Sequence, residues 1–207
     1  ANTLCLTEHS AAPPGASTSD HNGNRLFGME YENTGAIDKN HDQDAACAVC
    51  EPPNAGHIYT EWGRYGSCST EGHVKVYEGL VMSNHYTNYR GESVCVDMER
   101  AVHAGNHYDQ NSNHNGGYLY TSEIDQGSAH EDWYPHNIEL GCTVCAAPTK
   151  KAVYTRWGSR TCPTGSTKMY EGFMASAHGG HNGGGLNTLC LTEHSAAPPG
   201  ATTADNN

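Results

Sequence analysis

Two copies of one short pattern carry the side chains with the clearest chemistry in this chain. Tyr-Glu-Gly-x5-His occurs from Tyr77 to His85 and from Tyr170 to His178, and the polar loops "HYTNYRGES" and "HGGHNGGGLN" begin at the two histidines. A small polyhydroxylated ligand needs planar donors and acceptors for vicinal hydroxyls and an aromatic face for the apolar side of a sugar ring. Both loops offer such groups beside glycines. The candidate ligand-binding residues are His85, Tyr86, Asn88, Tyr89, Arg90, His178, His181 and Asn182.

Two interpretations of these loops remain open on the residues alone. Arg90 is suited to grip a carboxylate through two parallel hydrogen bonds, which favours an acidic sugar. The plainer interpretation is that the loops are solvated connections in which a histidine makes an ordinary hydrogen bond. The occurrence of a histidine at the same place in both copies favours the binding interpretation.

Motifs for catalysis and for metal binding are absent or incomplete. The chain has no nucleophile elbow, phosphate loop, HExxH or dinucleotide fingerprint, so we expect no enzymatic activity and no cofactor. The stretch from Asp109 to Tyr120 looks like a calcium loop, but His114 replaces the glycine at its sixth position and Tyr120 the glutamate at its twelfth. The oxygen-rich "DKNHDQD" at 38–44 is better explained as a solvated turn. We therefore predict no metal site.

The cysteines and tryptophans follow an internal repeat with a period of 93 to 95 residues. Repeat B, residues 57–147, is continuous and carries Trp62, Cys68, Cys95, Cys142 and Cys145. Repeat A is wrapped around the two ends of the chain. Its residues 152–207 carry Trp157, Cys162 and Cys190, and its residues 1–51 carry Cys5, Cys47 and Cys50. We interpret residues 1–207 as a single unit of two pseudo-repeats of about 95 residues.

The two ends of the chain carry the same segment. Residues 2–22 and 187–207 agree at 18 of 21 positions, so Cys5 and Cys190 occupy one position of the repeat. Three explanations remain open: a window cut from a tandem array, a permuted gene that kept both copies of the junction, or a sequence assembled from a redundant set of peptides. An intact mass clearly below 22.2 kDa would show that the two ends are one segment.

Nine cysteines in a chain with only 36% hydrophobic residues favour a disulfide-rich, extracellular protein. The Cys-x-x-Cys pairs also suit zinc, but they lie 95 residues apart, and two cysteines three apart on a strand point to opposite faces. We expect each repeat to pair its two single cysteines with its Cys-x-x-Cys, giving four bridges in all. The connectivity stays open, and the odd number leaves Cys5 or Cys190 over.

The apolar stretches predict a mostly β fold with long loops. "RLFGMEY", "HVKVYEGLVM", "SVCVDM", "GYLYTSE" and "CTVC" alternate loosely between Gly, Asn, Pro and Asp, and no helical stripe exceeds two turns. Residues 33–44 and 103–117 are expected to be polar loops, and "AAPPGASTSD" an irregular segment. Trp62 and Trp157 recur at one repeat position, which favours core packing, whereas Trp133 has no counterpart and is expected to be the freer aromatic residue.

Composition limits the partners of the chain. The formal net charge is −12 and no Lys/Arg-rich run occurs, which argues against nucleic acid and anionic membranes. No twenty-residue apolar run is present, so we expect no membrane insertion. The N-terminus lacks the basic-then-apolar pattern of a signal peptide, so we expect a mature, soluble form whose leader has been removed. Fourteen histidines add positive charge below about pH 6.5.

Two long stretches carry a family resemblance. "VYTRWGSRTCPTGSTKMYEGFMASAHGGHNGGGLNTLCL" and "CAVC…W…C…YEGLVMSNHYTNYRGESVCVD…CTVC" resemble the cysteine-rich domain of short-chain-collagen-like invertebrate proteins. The chain looks still closer to sea-hare egg lectins that bind galacturonic acid and galactose. In the collagen-like relatives the order is rotated, so that residues 152–207 correspond to a part preceding 1–151. The resemblance carries over no sugar-binding residue, and the candidate site rests on the loops.

Taken with the resemblance, these features predict a secreted lectin for galactose-type sugars and galacturonic acid. Agglutination would require several binding sites, which two repeats and a homodimer would supply. One alternative is a structural module of the extracellular matrix without a small ligand. A second alternative is a histidine-rich metal-binding protein.

Overall fold

The computed structural model describes residues 14, 29–32, 41, 43–50, 56–101, 117–125, 132–148, 151–201 and 203. These residues contain nine β-strands and no helix. The strands are β1 (Met29–Tyr31), β2 (Gln43–Asp44), β3 (His57–Arg64), β4 (Val74–Ser83), β5 (Val94–Asp97), β6 (Gly117–Thr121), β7 (Gly141–Ala147), β8 (Gly172–Ala175) and β9 (Leu189–Ala196). The predicted mostly β class is confirmed for this part of the chain.

The five predicted apolar stretches mark five of the nine strands. β4, β5, β6 and β7 lie on four of the five predicted stretches, and β1 covers the last three residues of the fifth. The predicted loop at 33–44 ends in β2 instead of continuing as a turn. Residues 33–40 and 103–116, most of the calcium-like stretch, and "AAPPGASTSD" apart from Pro14 lie outside the described residues, as does the first copy of the duplicated segment.

All nine strands belong to one mixed sheet. Its order is β2-β1-β6-β4-β7-β3-β9-β8, and β5 pairs with β4 outside this path. The β1–β6 and β3–β9 pairs are parallel, and the other pairs are antiparallel. β9 is formed by the second copy of the duplicated segment, which therefore lies inside the sheet between β3 and β8.

β7 is the central strand and is buried on both faces. Its cysteines point to opposite faces, as the spacing of three residues predicts. Cys142 is bonded to Cys95 and Cys145 to Cys68. Both bridges join a single cysteine of repeat B to its Cys-x-x-Cys, so the prediction is confirmed there. Sequence separations of 47 and 77 residues give each bridge about 4 kcal/mol of chain-entropy stabilisation.

The larger of two hydrophobic clusters spans the centre of the sheet. Val81 of β4 shares this cluster with Leu189 and Leu191 of β9, although two strands lie between β4 and β9 in the sheet. Tyr134 closes the cluster and donates a hydrogen bond of 2.9 Å to the carbonyl of Thr192. Residues of β4 and β9 share this cluster because Cys142 of β7 belongs to it and Trp62 of β3 packs against it.

The hairpins β4–β5 and β8–β9 have matching registers. Gly79 faces Asp97 in the first hairpin, and Gly172 faces Thr192 in the second. Each glycine lies so close to the partner backbone that a Cβ atom would fall within 2 Å of a carbonyl oxygen. The tyrosines that precede these glycines by two residues, Tyr77 and Tyr170, each donate to the carbonyl of the following cysteine, at 3.1 Å in both hairpins.

Repeat A departs from the prediction at two places, the segment that corresponds to β3 and the segment that carries its Cys-x-x-Cys. Residues 46–50 and 151–161 form no strand, and residues 151–161 are exposed throughout. Cys50, Cys162 and Cys190 have free thiols, because no ladder holds the first two together, whereas Cys47 is disulfide-bonded. Cys5 lies outside the described residues.

The burial of the three tryptophans also differs from the prediction. Trp62 packs against the larger cluster as expected. Trp157 is 49% exposed because its segment has no strand partner, so its predicted core position is wrong. Trp133, expected to be the freer residue, is partly buried against the same cluster as Trp62.

Candidate functional site

The two polar loops of the sequence meet in the structure. The first loop, residues 84–93, joins β4 to β5, and the second loop, residues 176–188, joins β8 to β9. The amide of Gly183 donates to the carbonyl of Tyr86 at 2.8 Å, and the amide of Gly184 donates to the carbonyl of His85 at 3.1 Å. Gly91 and Gly185 form a parallel bridge beside them. The loops therefore form one continuous surface, and not two separate ones.

The second loop fits against the first because it is rich in glycine. A Cβ atom on Gly183 would lie 2.0 Å from the carbonyl oxygen of His85 and 2.3 Å from that of Asn88. A Cβ atom on Gly185 would lie 2.4 Å from the hydroxyl of Ser93. Any larger residue at these positions would push the loops apart. The glycines of "GGHNGGGLN" therefore allow the two loops to pack closely.

The two histidines that open the loops are held in the same way. The Nδ1 atom of His85 accepts the amide of Thr87 at 3.3 Å, and the Nδ1 atom of His178 accepts the amide of Gly180 at 3.0 Å. In both turns the histidine carbonyl also accepts the amide three residues later. A neutral imidazole whose Nδ1 accepts carries its proton on Nε2. Each ring can thus present an Nε2–H donor to a ligand.

Aromatic and imidazole rings form a row across the two loops. The ring centroids are 4.5 Å apart for His85 and Tyr86, 4.9 Å for Tyr86 and His181, and 4.6 Å for His181 and His178. Burial lowers the pKa of His85 below its ordinary value of 6.5. His85 is consequently neutral at physiological pH, the state in which its Nδ1 atom can accept.

Arg90 ties the loops together. Its Nη2 atom donates to the carbonyls of His178 at 3.2 Å and His181 at 3.3 Å. The predicted bidentate grip on a carboxylate would need this nitrogen to be available, and the structure uses it across the loops instead. Arg90 still places a positive charge next to the row of rings, in a protein whose formal net charge is −12.

A pocket of about 440 Å³ opens beside the row of rings. It is lined by Thr87, Asn88, Tyr89 and Asn182, which come from both loops. Its volume lies in the usual range for small-molecule sites. Tyr89 is 90% exposed and offers a free aromatic face, while the two asparagines offer amide donors and acceptors.

All eight predicted site residues thus fall on one surface, which also includes residues that were not predicted. Thr87 lines the pocket, and the side chain of Asn187 pairs with the backbone of Ser93 through its Oδ1 atom at 2.7 Å and its Nδ2 atom at 3.4 Å. The glycine run was the signal for a close approach between backbones. Nothing in the sequence indicated which backbone would approach.

A second cluster of polar side chains surrounds a buried carboxylate and stabilises the fold. The carboxylate of Glu61 is fully buried and accepts the amide and hydroxyl of Ser69 as well as the hydroxyl of Tyr59. Burial raises the pKa of Tyr59 to about 12. The cluster fastens the turn that carries Cys68, since Ser69 follows this cysteine directly.

Metal ligands do not converge in the described part of the chain. No group of three or more His, Cys, Asp or Glu side chains there is arranged to hold a metal ion. Within the same residues no helix is long and apolar enough to cross a membrane.

Comparisons with known proteins add no relative to this picture. No protein-family model, curated protein or solved structure matches the chain.

Proposed function

We propose that this chain is a carbohydrate-binding protein whose binding site is the surface shared by the two loops. The observation that carries the proposal is the pairing of equivalent loops, which brings Asn88, Tyr89 and Asn182 into one pocket beside the ring row. Amide groups suit vicinal hydroxyls, and an exposed tyrosine suits the apolar face of a pyranose. The resemblance to the sea-hare lectins supports galactose and galacturonic acid as ligands.

An acidic sugar is compatible with the negative protein. At physiological salt, charges are screened beyond about 8 Å, so the groups next to the ligand decide the local potential. Those groups include Arg90 and the imidazoles of His85, His178 and His181. Protonation of His85 in acid adds positive charge there and favours a uronate over a neutral sugar.

The paired loops change the expected number of sugar-binding sites per chain. The two pseudo-repeats were expected to offer up to two sites per chain, whereas the paired loops support one composite site. Agglutination then depends on a homodimer or a larger assembly to present several sites. Disulfides form in oxidising compartments, so the two bridges of β7 support secretion.

A glycan array with galactose and galacturonate as competitors tests the proposal. The protein should bind at pH 7, and soluble sugar should displace it. A failure to bind any glycan between pH 5 and 8 would refute the lectin proposal and favour the extracellular-matrix alternative. Loss of stability in a chelator would favour the metal-binding alternative.

A further inference from the structure

The free thiols of Cys50 and Cys162 lie in a part of the structure that is incompletely paired. Both cysteines are exposed. The apolar side chains near them are exposed as well, with Val49 at 89%, Tyr154 at 62% and Trp157 at 49%. Exposure of so many large apolar groups indicates that residues 46–50 and residues 151–161 both lack a packing partner.

The corresponding stretches of repeat B are paired and covalently closed. In the ladder of β3 and β7, Tyr59 faces Cys145 and Trp62 faces Cys142. Cys145 is bonded to Cys68, six residues after Trp62. The repeat relates Tyr59 to Tyr154, Trp62 to Trp157, Cys68 to Cys162 and Cys145 to Cys50.

The backbone of repeat A already follows that of repeat B on both sides of Cys162. The glycines after the two tryptophans, Gly63 and Gly158, have φ of +81° and +76°. Gly72 and Gly165, at the next turn, have φ of +79° and +87°.

Ion pairs at the entry to the two hairpins agree as well. Lys75 contacts Glu78 at 2.6 Å, and Lys168 contacts Glu171 at 2.9 Å. The stretch from Trp157 to β8 therefore shares two glycine turns and one ion pair with the corresponding stretch of repeat B.

We propose that Cys50 and Cys162 of the same chain form a disulfide that closes a second ladder, between residues 47–50 and 154–157. The register of β3 and β7 transfers directly: Tyr154 would face Cys50, and Trp157 would face Cys47. This ladder would cover Val49, Tyr154 and Trp157. The proposal rests on the repeat and is independent of sugar binding.

The oxidant in this step is a low-molecular-weight disulfide. The Cys50 thiolate attacks one sulfur of that disulfide and releases a thiol, which leaves a mixed disulfide on Cys50. The Cys162 thiolate then attacks the Cys50 sulfur and releases the second thiol. One protein disulfide forms, the small disulfide is reduced to two thiols by two electrons, and the two protons of the cysteines end on these thiols.

Peptide mapping of the full chain tests the proposal. The oxidised protein is alkylated with iodoacetamide in the native state, then digested and analysed by mass spectrometry without reduction. We expect a peptide pair joined through Cys50 and Cys162, with neither cysteine alkylated. Alkylation of both cysteines, or a bond from either one to another cysteine of the same or a second chain, would overturn the proposal.

Single variants provide matched controls for this mapping. In Cys50→Ser the Cys162 thiol should become alkylated by iodoacetamide, and in Cys162→Ser the Cys50 thiol should. Cys190→Ser should leave the linked peptide unchanged, since Cys190 belongs to the other bridge position of the repeat. If a variant fails to fold, the mapping of the wild-type protein still decides the result.

Discussion

Gly183→Ala tests whether the contact between the loops builds the binding site. The new Cβ atom would lie 2.0 Å from the carbonyl oxygen of His85, where ordinary contact begins at 3.4 Å. The obstacle is backbone, which cannot rotate away as a side chain can. The loops must therefore separate by more than 1 Å, which breaks the hydrogen bonds that Gly183 and Gly184 donate to Tyr86 and His85.

The size of the effect follows from these two hydrogen bonds. A net value of about 1 kcal/mol for each bond gives a loss of about 2 kcal/mol in loop pairing. If binding requires paired loops, the affinity for galactose or galacturonate falls by up to about 30-fold, because binding must first close the loops. Isothermal titration calorimetry would measure the affinity, and a thermal melt would measure the stability of the fold.

Gly179→Ala is the matched control for this variant. Gly179 lies in the same loop, no atom lies within 4 Å of its Cβ position, and its φ is not in the left-handed region. Its substitution should change stability by no more than about 0.5 kcal/mol and leave the affinity unchanged. Wild-type affinity in Gly183→Ala, or an equal loss in Gly179→Ala, would refute the role of the loop contact.

The other predictions concern the ring row and the bridges. His85→Ala and His178→Ala should each weaken sugar binding on a glycan array, and full affinity in the double variant would place the site elsewhere. The affinity for galactose should be constant above pH 6.5 and fall toward pH 5 in titration calorimetry. Protonated His85 can no longer accept the Thr87 amide through Nδ1, so the turn that presents its ring is weakened as pH falls through the lowered pKa of this histidine. The free energy of unfolding falls as well, because the unfolded chain binds more protons than the folded protein below pH 6.5. His85→Gln should flatten this pH dependence, and an unchanged profile would mean that another group titrates. Cys95→Ala combined with Cys142→Ala should lower the free energy of unfolding by about 2–5 kcal/mol in urea, and a loss below about 1 kcal/mol would contradict the central role of that bridge.

The strands were readable from the sequence because their apolar residues are local signals. The alternating stretch around Val81 and the Cys-x-x-Cys at Cys142 correspond directly to β4 and β7. The period-two geometry of a strand sends Cys142 and Cys145 to opposite faces, which argued against a bond between them, but the single cysteine that each one joins was left open. β3, which is more polar and begins at His57, was not among the predicted stretches.

Contacts between distant elements could not be predicted in the same way. The eight candidate residues were identified from their types, but nothing in the spacing of His85 and His178 says that their loops meet. That meeting depends on contacts between residues far apart in the sequence, such as the hydrogen bonds that Gly183 and Gly184 donate to the first loop. The hydrogen bonds of Arg90 could not be predicted for the same reason, because their acceptors belong to the other loop.

The joined loops connect ligand binding to the melting of the whole sheet. They link the ends of β4 and β8, which are four strands apart in the order of the sheet. A ligand that contacts both loops therefore resists separation of the two hairpins, and its binding free energy adds to that of folding. A ligand at 100 times its dissociation constant would add about 2.7 kcal/mol. Differential scanning fluorimetry can thus rank unlabelled sugars against this protein without a glycan surface or a reporter group.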